Sequence, residues 1–357
     1  MCLLFVATVA CAATMTSSAQ TAVARALTIY FIDVEGGQST LLVGPGKETL
    51  LIDTGYASTG TFESASGDPG SARDANRILA AAHDAGVSKI DVLLITHFHA
   101  DHVGGVPELS KLIPIVTFVD HGSPAPDAEK GVSGTNAVFK AYSAIRAGKR
   151  HLEPKPGDRL PLKEMTATVV SSARETLTHA LAGAGKTNPA CAPQAMPAQE
   201  PTENPRSTGV VVSFGRFRFL DVGDLSGPPL FALACPTNRV GPVDAYLVAH
   251  HGGPDAADPA TLAAFKPRVA IVNNGAVKGG STETLALLAK TEGVDTWQLH
   301  RAVNAGDANT TETRIANLDE RTANWIKLVA AEDGSFTVTI AGDHRQSQKE
   351  YRSVPAR

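Results

Sequence analysis

Short apolar runs separated by glycine, proline and polar clusters dominate the chain, and most of them read as strands. The first run, Leu27 to Val34, is followed by a turn at Glu35-Gly36-Gly37-Gln38. Ser39 to Val43 and Thr49 to Asp53 then follow as strands joined through Gly44-Pro45-Gly46, which makes a meander. Beyond a Gly/Ser-rich loop from Ala57 to Gly70, Ser71 is placed to cap a helix that runs through Ala85 and stops at Gly86. Ile90 to Thr96 is almost continuously apolar, as a strand covered on both faces must be. The order strand, helix, buried strand therefore predicts a sheet flanked by helices.

The second half repeats this alternation with more interruption. Val106 to Leu112 reads as a short helix, Ile115 to Val119 as a strand, Thr135 to Ala147 as a helix and Met165 to Ser171 as a strand. Ala180 to Pro205, with five prolines, is an irregular excursion of the kind that becomes a lid or plain decoration. Gly209 to Phe214 and Phe217 to Val222 form a hairpin about Gly215-Arg216. Strands at Val243 to Ala249 and Val269 to Asn273, a helix at Ser281 to Thr291 and a strand at Trp297 to Leu299 come next. Strands at Trp325 to Ala330 and Ser335 to Ile340 close the pattern. No fixed-period repeat is present.

A chain of 357 residues, 43% hydrophobic and 19% charged, can bury a full core. Its net charge of −4, with no run of five like charges, argues against a general nucleic-acid-binding surface. Residues 1–24 carry no charged side chain. They combine an apolar stretch, Leu3 to Ala13, with an Ala22-Val23-Ala24 cleavage pattern, so a signal peptide and a secreted or periplasmic location are expected. The leader lacks a positive n-region, which places the true start upstream or argues against a leader. Its run is short for a membrane span, and Thr8-Val9-Ala10-Cys11 is a poor lipobox. Without the leader only Cys191 and Cys235 remain, able to pair or to stay as thiols. Oligomeric state leaves no trace in the sequence.

Chemistry concentrates in His97-Phe98-His99-Ala100-Asp101-His102, which directly follows the buried strand and opens into Val103-Gly104-Gly105. Three of the chain's eleven histidines lie within these six residues, beside a carboxylate, and all are donors for borderline cations such as Zn²⁺. Four ligand-type side chains here have no packing purpose. A chain leaving a sheet edge turns alternate residues one way, so His97 and His99 share a side. The bend at Gly104-Gly105 brings Asp101 and His102 to a neighbouring point, and two adjacent ion positions are expected. Asp53, followed by Thr54-Gly55 at a strand end, is placed to hold this loop by hydrogen bonds.

Leu51-Ile52-Asp53-Thr54-Gly55, Thr96 to Gly105, Gly223-Asp224 and His250-His251-Gly252 resemble, in order, the signature motifs of the metallo-β-lactamase superfamily, over about Leu27 to Asn273. Phe31-Ile32-Asp33-Val34-Glu35-Gly36-Gly37-Gln38-Ser39 and the His-His-Gly ending look most like the hydrolase domain of competence-type DNA-uptake proteins and related secreted hydrolases. The resemblance implies an α/β fold, a four-layer αβ/βα sandwich, with a two-metal centre at one edge. It places residues 25–357 in a single hydrolase domain with an insertion at about 180–206 and a C-terminal extension at about 276–357. His97 and His99 would bind the first ion and Asp101 and His102 the second, with Asp224 between them. One of His250 and His251 would complete the second shell and the other would face a leaving group. Asp101 and His251 are the candidate catalytic residues.

One departure stands out. Many superfamily members supply a further histidine to the first ion, yet none lies between His179 and Asp224, and Glu203-Asn204-Pro205-Arg206-Ser207 occupies its place. His121, His151, His179 or water are the substitutes. Two zinc ions, with Mn²⁺ or Fe as alternatives, would share a water and lower its pKa, giving a bridging hydroxide for hydrolysis. A small-molecule phosphoester or a phosphodiester gains most from such a site, with Arg206 or Arg301 as a fork-shaped donor. Hydrolysis of a β-lactam or lactone on the same centre is the alternative, as is a non-catalytic secreted protein that keeps metal for stability. An oxygen-using di-iron variant shares these ligands but has no flavin-binding partner domain in this chain. His300, beside Arg301 at a strand end, is expected on the pocket rim. His83 and His344 are expected at the surface.

Overall fold

The computed structural model describes residues 25–57, 71–192, 197–198, 201–340 and 347–353. The expected leader, most of the Gly/Ser-rich loop (58–70) and His344 lie outside these. The first half of the chain builds β1 (Ala26–Phe31), β2 (Thr40–Val43), β3 (Thr49–Ile52), α1 (Arg73–Asp84), β4 (Ile90–Leu94), α2 (Ala100–Val103), α3 (Val106–Leu112), β5 (Ile115–Val119), α4 (Ala128–Gly131), α5 (Thr135–Arg146) and β6 (Arg150–Leu152). The second supplies β7 (Thr166–Ser172), β8 (Glu175–Thr176), β9 (Gly209–Phe214), β10 (Phe217–Asp221), α6 (Gly227–Ala234), β11 (Ala245–Leu247), α7 (Pro259–Phe265), β12 (Val269–Val272), α8 (Thr282–Lys290), β13 (Asp295–His300) and β14 (Ile315–Asn317). Three further strands, β15 (Ile326–Ala331), β16 (Ser335–Ile340) and β17 (Gln348–Arg352), end the described chain.

Two sheets result. One runs β17-β16-β15-β1-β2-β3-β4-β5-β6 and the other β14-β13-β12-β11-β10-β9-β7-β8. Between them lies an apolar core to which Leu50, Ile52, Val92 and Leu94 contribute from one side and Val212, Phe219, Leu247, Ile271 and Trp297 from the other. The nearly unbroken apolar run in β4 now has its cause. Val92 and Leu94 face the opposite sheet, while Leu93 and Ile95 pack with Ala75, Ile78, Leu109 and Tyr142 of the helices on the outer face. At ~1.5–3 kcal/mol for each large side chain withdrawn from water, both faces drive the strand inward. α6, α7 and α8 cover the second sheet in the same way. The architecture is the expected four-layer αβ/βα sandwich.

The stretch expected as a C-terminal extension is woven into the whole. β13 and β14 widen the second sheet, and β15 crosses back to pair antiparallel with β1, from Ala26 opposite Ala331 to Phe31 opposite Ile326. The irregular segment after Ala180 is pinned by a Cys191–Cys235 disulfide at the end of α6 and by Asn188, whose side-chain amide donates to the carbonyls of Ala234 and Ala260. Among the described residues no helix is long and apolar enough to cross a membrane.

Candidate metal centre

The loop after β4 is held from behind by Asp53, whose own backbone takes a left-handed φ of 60°. Its carboxylate accepts from Thr96 N at 2.8 Å and from Thr96 Oγ1 at 2.7 Å, and it lies 2.7 Å from His102 Nδ1. This anchoring fixes the imidazole: with Nδ1–H donating to Asp53, Nε2 is left facing the centre. A short helix, α2, starts at Ala100, before the glycines rather than after them, and it orients Asp101 and His102.

β10 and β11 deliver the remaining groups. Asp221 ends β10, where Gln38 Nε2 donates to its two oxygens at 3.0 and 3.2 Å, and burial pushes its carboxyl up to about 7. Gly223 then turns the chain with φ +57°, and a Cβ there would lie 2.7 Å from that of Thr96, so only glycine lets Asp224 reach the histidine loop. Beyond β11, His250 and His251 both adopt left-handed backbone, φ 48° and 54°. Such strain costs of order 1–3 kcal/mol at each residue and concentrates at functional sites.

The donors converge in two groups that share Asp224: His97, His99 and Asp224, and Asp101, His102, Asp224 and His251. Asp224 Oδ2 is 3.2 Å from His102 Nε2, 3.2 Å from His251 Nε2 and 3.9 Å from His97 Nε2. Asp101 Oδ2 is 3.2 Å from His102 Nε2 and 3.1 Å from His251 Nε2. All six side chains are buried, and Asp224 Oδ1 has no hydrogen-bond partner. Burial disfavours a charge on His102, yet Asp224, Asp101 and Asp53 outweigh it and raise that imidazole well above its usual value. The pocket therefore calls for positive charge. At His97, burial and the neighbouring His102 and His99 push the pKa well below the usual value, toward the neutral form that binds metal. Clustered imidazole and carboxylate donors with demand for positive charge fit divalent cations.

The two histidines left open by the sequence separate clearly. His251 is buried with Nε2 in the second group. His250 stands at the rim, its side chain 30% exposed, with Nδ1 2.9 Å from Asp255, Nε2 3.3 Å from Asn204 Nδ2 and 3.8 Å from Asp224. The substitutes considered for the first ion lie elsewhere. His121 pairs with buried Glu203 at 3.0 Å, His151 with Asp120 at 2.9 Å, and His179 is exposed beside Thr178. Arg301 forms a surface pair with Glu312, and Arg206 donates to the carbonyl of Ser123. His300 is not a rim residue: it is 1% exposed and bonded to Asp33 at 2.7 Å, because β13 ends inside the sandwich. The expected surface position of His83 matches its exposure.

Lys278, which sequence reasoning missed, reaches the second group and bonds to Asp101 Oδ2, with Tyr56 Oη 3.3 Å away. Burial works against its ammonium, but Asp101 outweighs this and keeps it charged. Its signal in the sequence was a lysine between Gly275 and Gly279-Gly280 just after a buried strand.

A model of the metallo-β-lactamase superfamily matches residues 33–181, which include the histidine loop. Thioesterase pkgB of Emericella nidulans is 34% identical over 108 residues, 30% of this chain and 27% of that protein. An atrochrysone carboxyl ACP thioesterase of Aspergillus fumigatus is 39% identical over 112 residues, 31% of this chain and 23% of that protein. The chain thus spans about a quarter of the length of such relatives. Among solved structures, CmlA, a diiron β-hydroxylase from Streptomyces venezuelae, aligns over 68% of this chain and 44% of its own at 15% identity, with a TM-score of 0.37. Residues 33–181 accordingly match the metallo-β-lactamase superfamily, and the two-sheet sandwich is the fold of that superfamily.

Proposed function

We propose that the chain is a metal-dependent hydrolase, with a phosphoester or phosphodiester as the favoured substrate and zinc as the favoured ion. The observation that carries this reading is the pair of donor groups sharing Asp224, which offers two adjacent cation positions beside an exposed rim. His97, His99 and Asp224 would hold one ion, and Asp101, His102, Asp224 and His251 the other. Bound there, divalent ions would acidify a water and stabilise negative charge developing on the attacked group. The chain's own part is positional. Asp53 keeps His102 Nε2 aimed at the centre, and the buried walls exclude bulk water. His250, its Nδ1 turned to Asp255, presents Nε2 at the mouth, where it can exchange a proton with a leaving group.

A doubly held phosphoryl group gains most from two cations, and the sequence likeness to competence-type hydrolases supports the same substrate class. Thioester or ester hydrolysis is the second reading, supported by the thioesterase names of the fungal relatives. Export from the cytoplasm is part of the proposal, supported by the leader-like residues 1–24 and by the Cys191–Cys235 disulfide.

The test is turnover of bis(p-nitrophenyl) phosphate, a chromogenic cephalosporin and an acyl thioester by protein loaded with Zn²⁺ or Mn²⁺, with Asp101→Ala as control. Phosphodiester turnover abolished in the control is the expected result. Thioester or cephalosporin turnover without it would move the protein to acyl chemistry, and silence on all three with metal bound would sink the hydrolase reading for these classes.

A further inference from the structure

Lys278 is placed with more care than a surface lysine needs. Its loop follows β12 and is fixed at both ends: Asn274 Nδ2 donates to the carbonyl of His300 at 2.8 Å, and Gly280 N donates to that of His251 at 2.8 Å. In the middle the loop lies backbone to backbone on the turn after β1. A Cβ on Gly36 would fall 2.9 Å from both Gly275 N and Lys278 Cβ, and one on Gly275 would fall 2.8 Å from the carbonyl of Glu35. The loop therefore holds its shape without help from the lysine side chain. That side chain is 41% exposed at its outer face, while Nζ reaches Asp101 Oδ2 and Tyr56 Oη and sits 5.6 Å from the centre of the Tyr56 ring. An ammonium has three donors, and these two acceptors leave one for a ligand. The arginines that could have served instead are engaged elsewhere, Arg301 with Glu312 and Arg206 with Ser123.

We propose that Lys278 is the specificity residue of the centre: its ammonium takes an anionic oxygen, phosphoryl or carboxylate, of a substrate seated on the Asp101/His251 side. The inference deepens the hydrolase reading and rests on it. A fixed positive charge beside the donor groups selects anionic substrates over neutral ones, and a point charge on a flexible stem suits phosphoryl or carboxylate oxygens of varied geometry.

The test compares zinc-loaded wild type with Lys278→Met and Lys278→Arg on anionic bis(p-nitrophenyl) phosphate and neutral p-nitrophenyl acetate, with zinc content measured on each protein. Loss of a hydrogen bond to a charged group predicts that Lys278→Met shifts the anionic-to-neutral ratio of kcat/KM by about 10- to 100-fold, mainly through KM, and that Lys278→Arg restores part of it. Calorimetric titration with inorganic phosphate and with acetate decides the matter even if no substrate is turned over, so failure of the hydrolase reading and failure of this one are distinguishable. Weaker phosphate binding in Lys278→Met identifies a phosphoryl oxygen, and weaker acetate binding a carboxylate. Equal losses on both esters, unchanged affinity for both anions, no anion binding by wild type, or a fall in zinc content that accounts for the effect would each overturn the proposal.

Discussion

Two buried clusters in this molecule contain the same kinds of side chain and come to opposite ends. In the metal centre, His97, His99, Asp101, His102, Asp224 and His251 converge, and Asp224 Oδ1 finds no partner. About the end of β1, Asp33, Glu35 and His300 also come within ligand distance of one another. There, however, Arg77 Nη1 lies 2.8 Å from Asp33 Oδ2 and 3.0 Å from Glu35 Oε1, and His300 Nε2 lies 2.7 Å from Asp33 Oδ1. One cluster holds more negative charge and more lone pairs than its own cations can answer, and the other is balanced by Arg77 and His300. Residue type alone does not make a metal site; unanswered donors do.

Replacing Asp224 with Ala breaks the comparison most violently, because both donor groups lose their shared carboxylate. The expected outcome is loss of at least one ion per chain by elemental analysis, and a fall in hydrolysis on the order of a thousandfold, the equivalent of several kcal/mol of transition-state stabilisation. Retention of two ions would show that Asp224 is not shared. The matching change in the other cluster, His300→Gln, should leave metal content untouched. It should cost about 3 kcal/mol of stability, the lower end of the range for breaking a buried pair, since Arg77 still faces Asp33. Urea unfolding of the zinc-loaded proteins measures this, and a loss of metal instead would make the two clusters alike.

The contrast also marks what could be read from the chain. His97 to His102 and the strand before them were legible because local spacing carries both the ligands and the bend that aims them. Asp53 was legible as a holder of the loop for the same reason. His300 was misplaced on the rim because nothing local shows that β13 ends against Asp33, 267 positions earlier. The choice between His250 and His251 needed the left-handed backbone at both residues, which turns one inward and the other to the mouth. α6 escaped notice because eight nearly all-apolar residues, Gly227–Ala234, carry no amphipathic period. Lys278 was invisible because its partner Asp101 lies 177 positions away, and contacts such as that of Gly36 with Gly275 bring the two loops together.

The smallest effect expected is also the sharpest mark of a balanced cluster. Burial disfavours protonated His300, but the hydrogen bond and charge of Asp33, helped by Glu35, outweigh it and raise its pKa above the ordinary 6.5. The folded protein then keeps the proton to a higher pH than the unfolded chain does. Stability from this pair is fully present below pH 6.5 and declines as pH rises from there through the raised folded value. The side chains facing His300 are Asp33, Glu35 and Arg77, so the protonated ring has two acidic neighbours and one basic one. Measuring unfolding free energy from pH 6 to pH 9 for zinc-loaded wild type and His300→Gln, and taking the difference, removes contributions common to both proteins. That difference should shrink as pH rises. A difference constant with pH would mean that His300 is neutral in the fold and that Arg77 alone answers Asp33 and Glu35.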